Sequence, residues 1–348
     1  MQTPLTNIRH LSLPDIKEQL TTQGQQGFRA KQVYEWLWQK SARSFDDMTN
    51  LSKDLREWLK LHYEIKAVVV ATKQISVDRT IKSGFKLHDN SVVEGVLIPS
   101  NSRMTACISS QVGCSLTCKF CATGRMERLR NIDFDEIYDQ VAIIKQQCET
   151  DYDQPLTNIV YMGMGEPLLN YANVLKSIEK ITSPEGLGMS PQRITVSTAG
   201  VAKMIKKLGD DGVKFNLALS LHAANDEKRN KIMPINETNS LEALAEALIY
   251  FYEKTETRPT YEFIVFKDFN DSLHDAEELY QFTKHVPCKV NIIEYNPIDD
   301  AEFEQTTPAR LERFSRYLEG KGVIVNVRRS RGKDIDAACG QLANKVVS

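Results

Sequence analysis

The 348-residue sequence has no long hydrophobic run. Its apolar stretches fall far short of the roughly 20 residues that a membrane-spanning helix needs, which excludes a helical membrane protein. The first five residues, MQTPL, also lack the basic and then apolar pattern of a secretory signal. We therefore expect a cytoplasmic protein with no membrane partner.

A strong net charge is also missing, since the formal charge at pH 7 is −2. A nucleic-acid partner would have to be bound by local basic patches rather than by a generally basic surface. The sequence shows no internal repeat and no low-complexity tract. Its seven cysteines, in a protein expected in the cytoplasm, indicate metal binding or catalysis rather than a disulfide framework.

Three of the cysteines, Cys114, Cys118 and Cys121, form a C-x3-C-x2-C pattern. Structural zinc sites use four ligands, and a cubane [4Fe–4S] cluster usually takes four thiolates. Three thiolates would leave one iron open to another ligand, which is typical of radical S-adenosylmethionine (SAM) enzymes. On spacing alone, a zinc site completed by a distant His or Cys stays an alternative.

The chain changes character along its length. Residues from about 12 to 62 show helical periodicity, whereas residues 66–99 are rich in β-formers, with turn signals at residues 82–84 and 89–91. From about residue 103, predicted strands alternate with predicted helices. The strands lie at residues 105–109, 157–162, 193–197, 214–220, 260–265, 289–294 and 323–327, and the helices at 133–147, 171–181, 201–208, 240–254, 273–284 and 308–319.

This alternation indicates an α/β fold with a parallel sheet. Six βα units suit an incomplete barrel better than a doubly wound sheet, although spacing does not decide between the two. In both architectures, ligands bind at the carboxyl ends of the strands.

Polar or flexible residues follow several of the predicted strands, as the cysteine loop follows the first. Each of them alone would suit a helix cap or a loop hydrogen bond, but their repeated placement at one end of the sheet favours a bound ligand. These residues are Gly165, Glu166, Ser197, Ser220, Leu221, His222 and Asn296.

A separate cysteine, Cys339, lies after the last predicted strand in the segment DIDAACGQL. A lone cysteine is usually a small buried apolar residue. The flanking charge and the following Gly-Gln do not resemble a core segment, and several basic residues lie just upstream. Such surroundings are typical of a reactive cysteine.

Together these segments resemble the RlmN/Cfr family of radical SAM RNA methyltransferases over nearly the whole chain. The resemblance depends on SSQVGC at 109–114, MGMGEPLLN at 162–170, SLHA at 220–223, RG at 331–332 and DAACGQL at 336–342. The helical N-terminus, with FRAKQ at 28–32, is more similar to the RlmN side of the family.

The resemblance implies a partial (β/α)6 radical SAM barrel with a small N-terminal helical accessory domain and an antiparallel β extension. We expect an RNA-binding accessory domain at 1–65, the β extension at 66–102, the barrel at 103–330 and a segment carrying the methyl-carrier cysteine at 331–348. The resemblance also implies that 23S rRNA and tRNA are partners, that an electron donor of the flavodoxin or ferredoxin type is used, and that the protein is a monomer.

The activity implied is methylation of adenosine C2 in 23S rRNA, and in many members also of the adenosine 3′ of the tRNA anticodon. Two SAM molecules are used per turnover: one methylates Cys339, and the other yields a 5′-deoxyadenosyl radical that takes a hydrogen from this S-methyl group. The carbon radical adds to the ring, Cys107 resolves the protein–RNA adduct and leaves a disulfide, and Glu94 accepts a proton. The [4Fe–4S] ligands are Cys114, Cys118 and Cys121, and the SAM contacts are the seven residues that follow the strands.

Two other functions fit the same motifs. Cfr-like methylation at C8 of the same rRNA adenosine uses the same residues. A non-enzymatic RNA-binding protein with an Fe–S cluster or zinc as redox sensor would not need Glu166, Ser220 or Cys339 and would not cleave SAM.

Overall fold

The computed structural model describes residues 5–345. Its strands are β1 (Thr6–Asn7), β2 (Tyr63–Glu64), β3 (Val69–Ile75), β4 (Ile81–Lys86), β5 (Val92–Pro99), β6 (Met104–Cys107), β7 (Gln111–Val112), β8 (Arg130–Asn131), β9 (Asn158–Tyr161), β10 (Ile194–Thr198), β11 (Asn216–Ser220), β12 (Thr260–Val265), β13 (Lys289–Glu294) and β14 (Val325–Arg328). Its helices are α1 (Leu13–Thr22), α2 (Phe28–Trp38), α3 (Lys53–His62), α4 (Phe134–Tyr152), α5 (Tyr171–Thr182), α6 (Ala202–Asp210), α7 (Asp226–Ile232), α8 (Leu241–Thr255), α9 (Leu273–Thr283) and α10 (Pro308–Gly320).

The N-terminal helices α1–α3 form a module that packs against α4. Ser12 and Ser52 cap α1 and α3, because each hydroxyl accepts a hydrogen bond from a backbone N–H of the first turn. The buried guanidinium of Arg9 lies 2.7 Å from Asp139 of α4, and Trp38 packs edge-on against Tyr138 at 5.0 Å. A buried ion pair and an aromatic contact therefore fix the module to the rest of the chain.

Ten strands form one continuous sheet in the order β14-β13-β12-β11-β10-β9-β6-β5-β4-β3. Strands β3 to β6 pair antiparallel, and β6, β9 and all the following strands pair parallel. The strands of segment 66–102 thus extend the same sheet as those of segment 103–330. Residues 1–4 of the first expected domain and 346–348 of the last lie outside the described residues.

The parallel strands follow one another in sequence order, without the reversal that marks a doubly wound sheet. Right-handed crossovers then put the intervening helices on one face, and the other face curls inward. Because β6 pairs with β5 and β9 rather than with β14, the barrel stays open on one side. The predicted partial barrel of six βα units is confirmed.

The C-terminal segment crosses from β14 to the antiparallel strands. Gly332 donates its backbone N–H to Asp78 at 2.9 Å, Ser76 donates its hydroxyl to Asp334 at 2.5 Å, and Ala343 donates its N–H to Glu94 at 2.8 Å. These bonds hold the segment across the open side of the barrel, directly over the space that the strands enclose.

The seven strands and six helices predicted after residue 103 are present within a few residues. The predicted turn at 82–84 is wrong, since these residues lie within β4. The chain turns earlier, where the Ser76 hydroxyl and the Asp78 carboxylate accept backbone N–H groups of Asp78 and Thr80. The turn at 89–91 is confirmed by Asn90 in the left-handed region. Among residues 5–345, no helix is both long and apolar enough to cross a membrane.

Candidate active site

The cysteine loop is closed at its base by the short antiparallel pair β7 and β8. Gly113 leaves β7 with a φ of +75°, and a Cβ there would overlap the backbone of Glu127. Only glycine fits this crossing. The loop then brings Cys114, Cys118 and Cys121 to one wall of a central cavity inside the barrel.

The three cysteines line the central cavity together, so they can serve as a common set of ligands for one cluster. Burial raises the pKa of the Cys114 thiol to about 11 and also raises the pKa of Cys118 and Cys121. Without a metal these groups are neutral thiols, and binding a cluster must release their protons.

Gly165 and Glu166 line the cavity at the end of the strand next to the cysteine loop. Gly165 has a φ of +95°, and a Cβ would overlap the side chain of Gln111. The buried carboxylate of Glu166 accepts the backbone N–H groups of Leu168 at 3.0 Å and Ala199 at 2.7 Å. Burial raises its pKa to about 6, so at neutral pH it is an oriented anion suited to an ammonium group.

Ser197 and Ser220 lie at the carboxyl ends of neighbouring strands β10 and β11, Ser197 one residue before the last of its strand. They line the cavity together, with their hydroxyl oxygens 3.3 Å apart. The buried Arg229 of α7 holds these strand ends from behind. It donates to the backbone carbonyls of Ala199 at 2.6 Å, Ser220 at 3.1 Å and Leu221 at 3.0 Å. The Leu221 side chain is buried and does not line the cavity.

His222 lines the cavity next to the cysteine loop, with its ring edge-on to Phe120 at 4.8 Å. Its Nδ1 accepts the backbone N–H of Ile264 at 3.1 Å, so the proton of the neutral ring is on Nε2. Burial, with the nearby Arg229, lowers the pKa of His222 to about 3. His222 therefore serves as a neutral hydrogen-bond donor at neutral pH.

Asn296 lies behind the cavity wall rather than on it. Its amide group donates to the backbone carbonyl of Cys339 at 3.3 Å. Its Oδ1 is buried and has no partner within the described chain, which leaves one acceptor for a ligand or water.

Cys107 and Cys339 line the same cavity as the three loop cysteines, and both are free thiols. Burial raises the pKa of Cys107 to about 12, and the neighbouring Cys339 raises it further. Although Cys339 is open to the cavity, desolvation raises its pKa to about 11, and Arg328 opposes this shift. Arg328 also lines the cavity, with Nη1 3.1 Å from Glu262.

Backbone hydrogen bonds hold the Cys339 segment against the cysteine loop. Ala122 donates its N–H to the carbonyl of Gly340 at 2.7 Å, and the Thr123 hydroxyl donates to the carbonyl of Leu342 at 2.7 Å. Cys339 is thereby fixed beside the expected cluster.

Glu94, the expected proton acceptor, is not part of the cavity lining. Its buried carboxylate pairs with Lys82 at 3.3 Å and accepts the backbone N–H groups of Ala343 at 2.8 Å and Asn344 at 3.1 Å. In this arrangement Glu94 holds the C-terminal segment, and that segment must shift before its carboxylate can reach a base.

Sequence reasoning missed Arg229 and Glu262, whereas Arg328 is one of the basic residues that it noted just upstream of Cys339. Arg229 lies in a run of charged residues that resembles an exposed helix, and Glu262 lies in an otherwise apolar strand. An acidic residue within a buried parallel strand is unusual, so Glu262 was the one position with a usable signal.

Comparison with known proteins agrees with this geometry. The family described as radical SAM superfamily matches residues 108–282, and the ribosomal RNA large subunit methyltransferase N-terminal domain matches residues 6–65. A crystal structure of a radical SAM methyltransferase from Sphaerobacter thermophilus superposes with a TM-score of 0.92, at 36% identity over 97% of this chain and 99% of that one. The fold and site are those of a radical SAM enzyme.

Proteins with similar sequences identify the family within the radical SAM enzymes to which the chain belongs. A protein of Cytophaga hutchinsonii named probable dual-specificity RNA methyltransferase RlmN is 62% identical over 100% of this chain and 96% of its own length. A protein of Geotalea uraniireducens named dual-specificity RNA methyltransferase RlmN is 42% identical over 98% and 97%. The chain belongs to the RlmN family and is a SAM-dependent RNA methyltransferase, which overturns the alternative of a non-enzymatic sensor.

Proposed function

We propose that the enzyme methylates C2 of an adenosine in 23S rRNA and of the adenosine 3′ of the anticodon in tRNA. The observation that carries this proposal is that Cys107 and Cys339 share one cavity with the three cysteines of the loop. C2 of adenine is an electrophilic amidine carbon, so direct methyl transfer from a sulfonium donor would fail. A methyl carrier held beside the base provides another route through proximity.

In this proposal Cys339 accepts a methyl group on Sγ and presents it to the base. After this carbon has bonded to C2 and C2 has given up its own hydrogen, Cys107 attacks Sγ of Cys339. The S–C bond breaks, its electron pair goes to the product carbon, which takes up a proton, and a disulfide remains. An external reductant must return both sulfurs to thiols. Arg328, which opposes the raised pKa of both cysteines, supports the thiolate form that each step needs.

We assign Cys114, Cys118 and Cys121 to a [4Fe–4S] cluster and propose two SAM molecules per turnover. Bound at this site, the cluster and SAM supply an electron, a methyl group and a 5′-deoxyadenosyl radical. Glu166 would bind the SAM ammonium, with Gly165 allowing the ligand to approach. Ser197, Ser220, His222 and the free Oδ1 of Asn296 would bind the rest of SAM, and Leu221 would contribute through its backbone.

Glu94 keeps its expected role as proton acceptor, with one added requirement. Because its carboxylate is bound to Lys82 and to two amides of the C-terminal segment, that segment must loosen during the cycle.

Three further assignments complete the proposal. An electron donor of the flavodoxin or ferredoxin type reduces the cluster, the enzyme acts as a monomer, and it works in the cytoplasm. The absence of a membrane-spanning helix among the described residues is compatible with the last assignment.

Nucleoside mass spectrometry tests the function. Anaerobically reconstituted enzyme would be incubated with isotope-labelled SAM, a reductant, and unmodified 23S rRNA or tRNA. We expect 2-methyladenosine, and the two RNAs tested separately define the substrate range. 8-Methyladenosine would assign Cfr-like chemistry, and SAM cleavage without methylated adenosine would refute the proposed substrate.

Two cysteine variants test the carrier. Cys339→Ala should abolish methylation. Cys148→Ala serves as the control, because Cys148 is buried in α4 away from the cavity. Methylation that persists in Cys339→Ala would refute the role of this thiol.

A further inference from the structure

A second cavity, of about 410 Å³, opens beside the central one. This size falls within the range of ligand pockets in proteins. We call it the arginine cavity, because its walls carry three arginines and several neutral hydrogen-bonding groups. These residues are Arg79, Arg103, Arg331, Asn101, Ser102 and Tyr152. Among the described residues of the lining, Asp78 is the acidic one, and its carboxylate accepts the backbone N–H groups of Thr80 and Gly332.

The three guanidinium groups have no acidic partner among residues 5–345. Arg79 stacks over the ring of Tyr152 at 4.7 Å, and the side chains of Arg103 and Arg331 make no ion pair within the described chain. All three are exposed. Unpaired arginines that converge on a concave polar surface suit a ligand with several anionic oxygens, because the planar guanidinium binds phosphate oxygens in pairs.

The backbone at Arg79 provides an independent argument. Arg79 has a φ of +71°, in the left-handed region that disfavours residues with a long side chain. The corresponding turn between β4 and β5 uses Asn90, with a φ of +68°, which is a residue that tolerates this conformation well. A strained arginine where Gly or Asn would fold more easily indicates that its side chain is needed.

The arginine cavity lies next to the central cavity, because Arg331 lines both. On β6, Met104 lines the arginine cavity and Cys107 lines the central cavity, and three residues of strand span about 10 Å. A ligand group in the arginine cavity would therefore lie a short distance from the base that meets Cys107 and Cys339.

We propose that the arginine cavity binds the sugar–phosphate backbone of the RNA substrate next to the target adenosine. This inference rests on the RNA methyltransferase function. Phosphate contacts fix the register of a nucleic acid, and here they would hold the strand while the target base enters the central cavity. Asn101 and Ser102 add hydrogen-bonding groups for ribose and phosphate oxygens, while Tyr152 supports Arg79, because its hydroxyl donates to the Arg79 carbonyl.

An acidic electron-donor protein is the other anionic partner, and the shape of the cavity disfavours it. A concave cavity suits a flexible strand better than the surface of a folded protein.

The test uses the double variant Arg79→Gly/Arg103→Gln in the reconstituted holoenzyme. Gly at 79 removes the cation and also relieves the backbone strain, so this variant should be at least as stable as the wild type by thermal unfolding. Its control is Arg313→Gln/Arg316→Gln, which removes the same charge from exposed positions on α10.

Binding of unmodified tRNA would be measured by fluorescence anisotropy at several salt concentrations. We expect about tenfold weaker binding for the Arg79/Arg103 variant. The slope of log affinity against log salt should fall by about 1.4, because each phosphate contact to a single strand contributes about 0.7. RNA-independent SAM cleavage with dithionite should be unchanged, and the α10 control should bind as the wild type does.

Two results would overturn the inference. In the first, the Arg79/Arg103 variant has the RNA affinity and salt slope of the control. In the second, its RNA binding is also unchanged, but its reduction by flavodoxin, unlike its reduction by dithionite, is slower than that of the wild type. The second would make the cavity a docking site for the electron donor. Failure of the proposed C2 chemistry is visible separately, in the nucleosides produced by the wild type, and would leave the RNA-binding comparison intact.

Discussion

Lys82 Nζ lies 3.3 Å from Glu94 Oε1, and both side chains are only 4% exposed. The other oxygen of Glu94 accepts two backbone N–H groups of the C-terminal segment. One buried carboxylate therefore joins the antiparallel strands to the segment that carries Cys339.

Lys82→Met leaves this carboxylate buried without its cation. We expect a loss of about 3 kcal/mol in the free energy of unfolding, because removal of one partner leaves an uncompensated buried charge. Amide hydrogen exchange at Ala343 and Asn344 should accelerate, and methylation of Cys339 should slow. The double variant Lys82→Met/Glu94→Gln removes both charges and should recover most of the stability. Equal stability of Lys82→Met and wild type in urea unfolding would contradict the pairing.

Glu94→Gln separates proton transfer from positioning. Gln keeps one acceptor oxygen for the amides of the segment but is a very weak base. If Glu94 accepts the proton, Cys339 should still be methylated while release of methylated RNA falls at least about a hundredfold. If both steps slow to the same extent, Glu94 acts by positioning alone. Mass spectrometry of the peptide and of the nucleosides measures the two steps.

SAM binding should weaken in acid. Burial raises the pKa of Glu166 to about 6, and only the carboxylate form can pair with the SAM ammonium. Affinity should be about tenfold lower at pH 5 than at pH 7.5. 5′-Methylthioadenosine, which lacks the amino-acid part, is the matched control and should show no such loss. Parallel pH profiles for the two ligands in calorimetry would refute the role of Glu166.

The same raised pKa affects stability. The folded state binds the Glu166 proton more tightly than the unfolded state, so this group's contribution to stability grows as pH falls through about 6 toward 4.5. At neutral pH the buried anion is unfavourable for folding, and the proposed pairing with the SAM ammonium would offset that disadvantage.

Arg229→Met should disrupt the strand ends that carry Ser197 and Ser220. The guanidinium donates to three carbonyls and to Asn236 at 2.6 Å, and the substitution leaves these acceptors unpaired inside the protein. We expect a loss of about 3 kcal/mol or more in the free energy of unfolding. Arg316→Met, on an exposed face of α10, should change stability by less than about 0.5 kcal/mol. Similar unfolding midpoints for the two variants would contradict this role.

The N-terminal helices should also contact RNA. On α2, Lys31 is exposed and Arg29 is half-buried, with its guanidinium over the Phe28 ring at 4.8 Å. Arg29→Glu/Lys31→Glu should weaken RNA binding at least about tenfold and leave SAM cleavage intact. Lys206→Glu/Lys231→Glu, on α6 and α7, is the charge-matched control. Unchanged anisotropy titrations would assign RNA binding elsewhere.

Much of the site could be predicted because its signals are local. The three loop cysteines and the Gly165-Glu166 pair each lie within a few residues of one another, directly after a strand. Parallel topology then brings the strand ends together whatever the details of packing.

The supporting residues could not be predicted in the same way. Arg229 differs from an exposed arginine only because α7 packs behind two strand ends, and Lys82 only because β4 lies beside β5. The position of Glu94 depends on a segment 250 residues away. Such contacts depend on long-range packing and leave no periodic trace in the sequence.

The attachment of the C-terminal segment also makes assembly of the site a late event. Thr123 and Leu342 are 219 positions apart in the chain, and contacts of such high separation form only after large loops have closed. A chain still emerging from the ribosome would already hold the loop cysteines yet lack Cys339, the proposed methyl carrier. If Cys339 has that role, methylation of RNA is restricted to molecules whose synthesis and folding are finished.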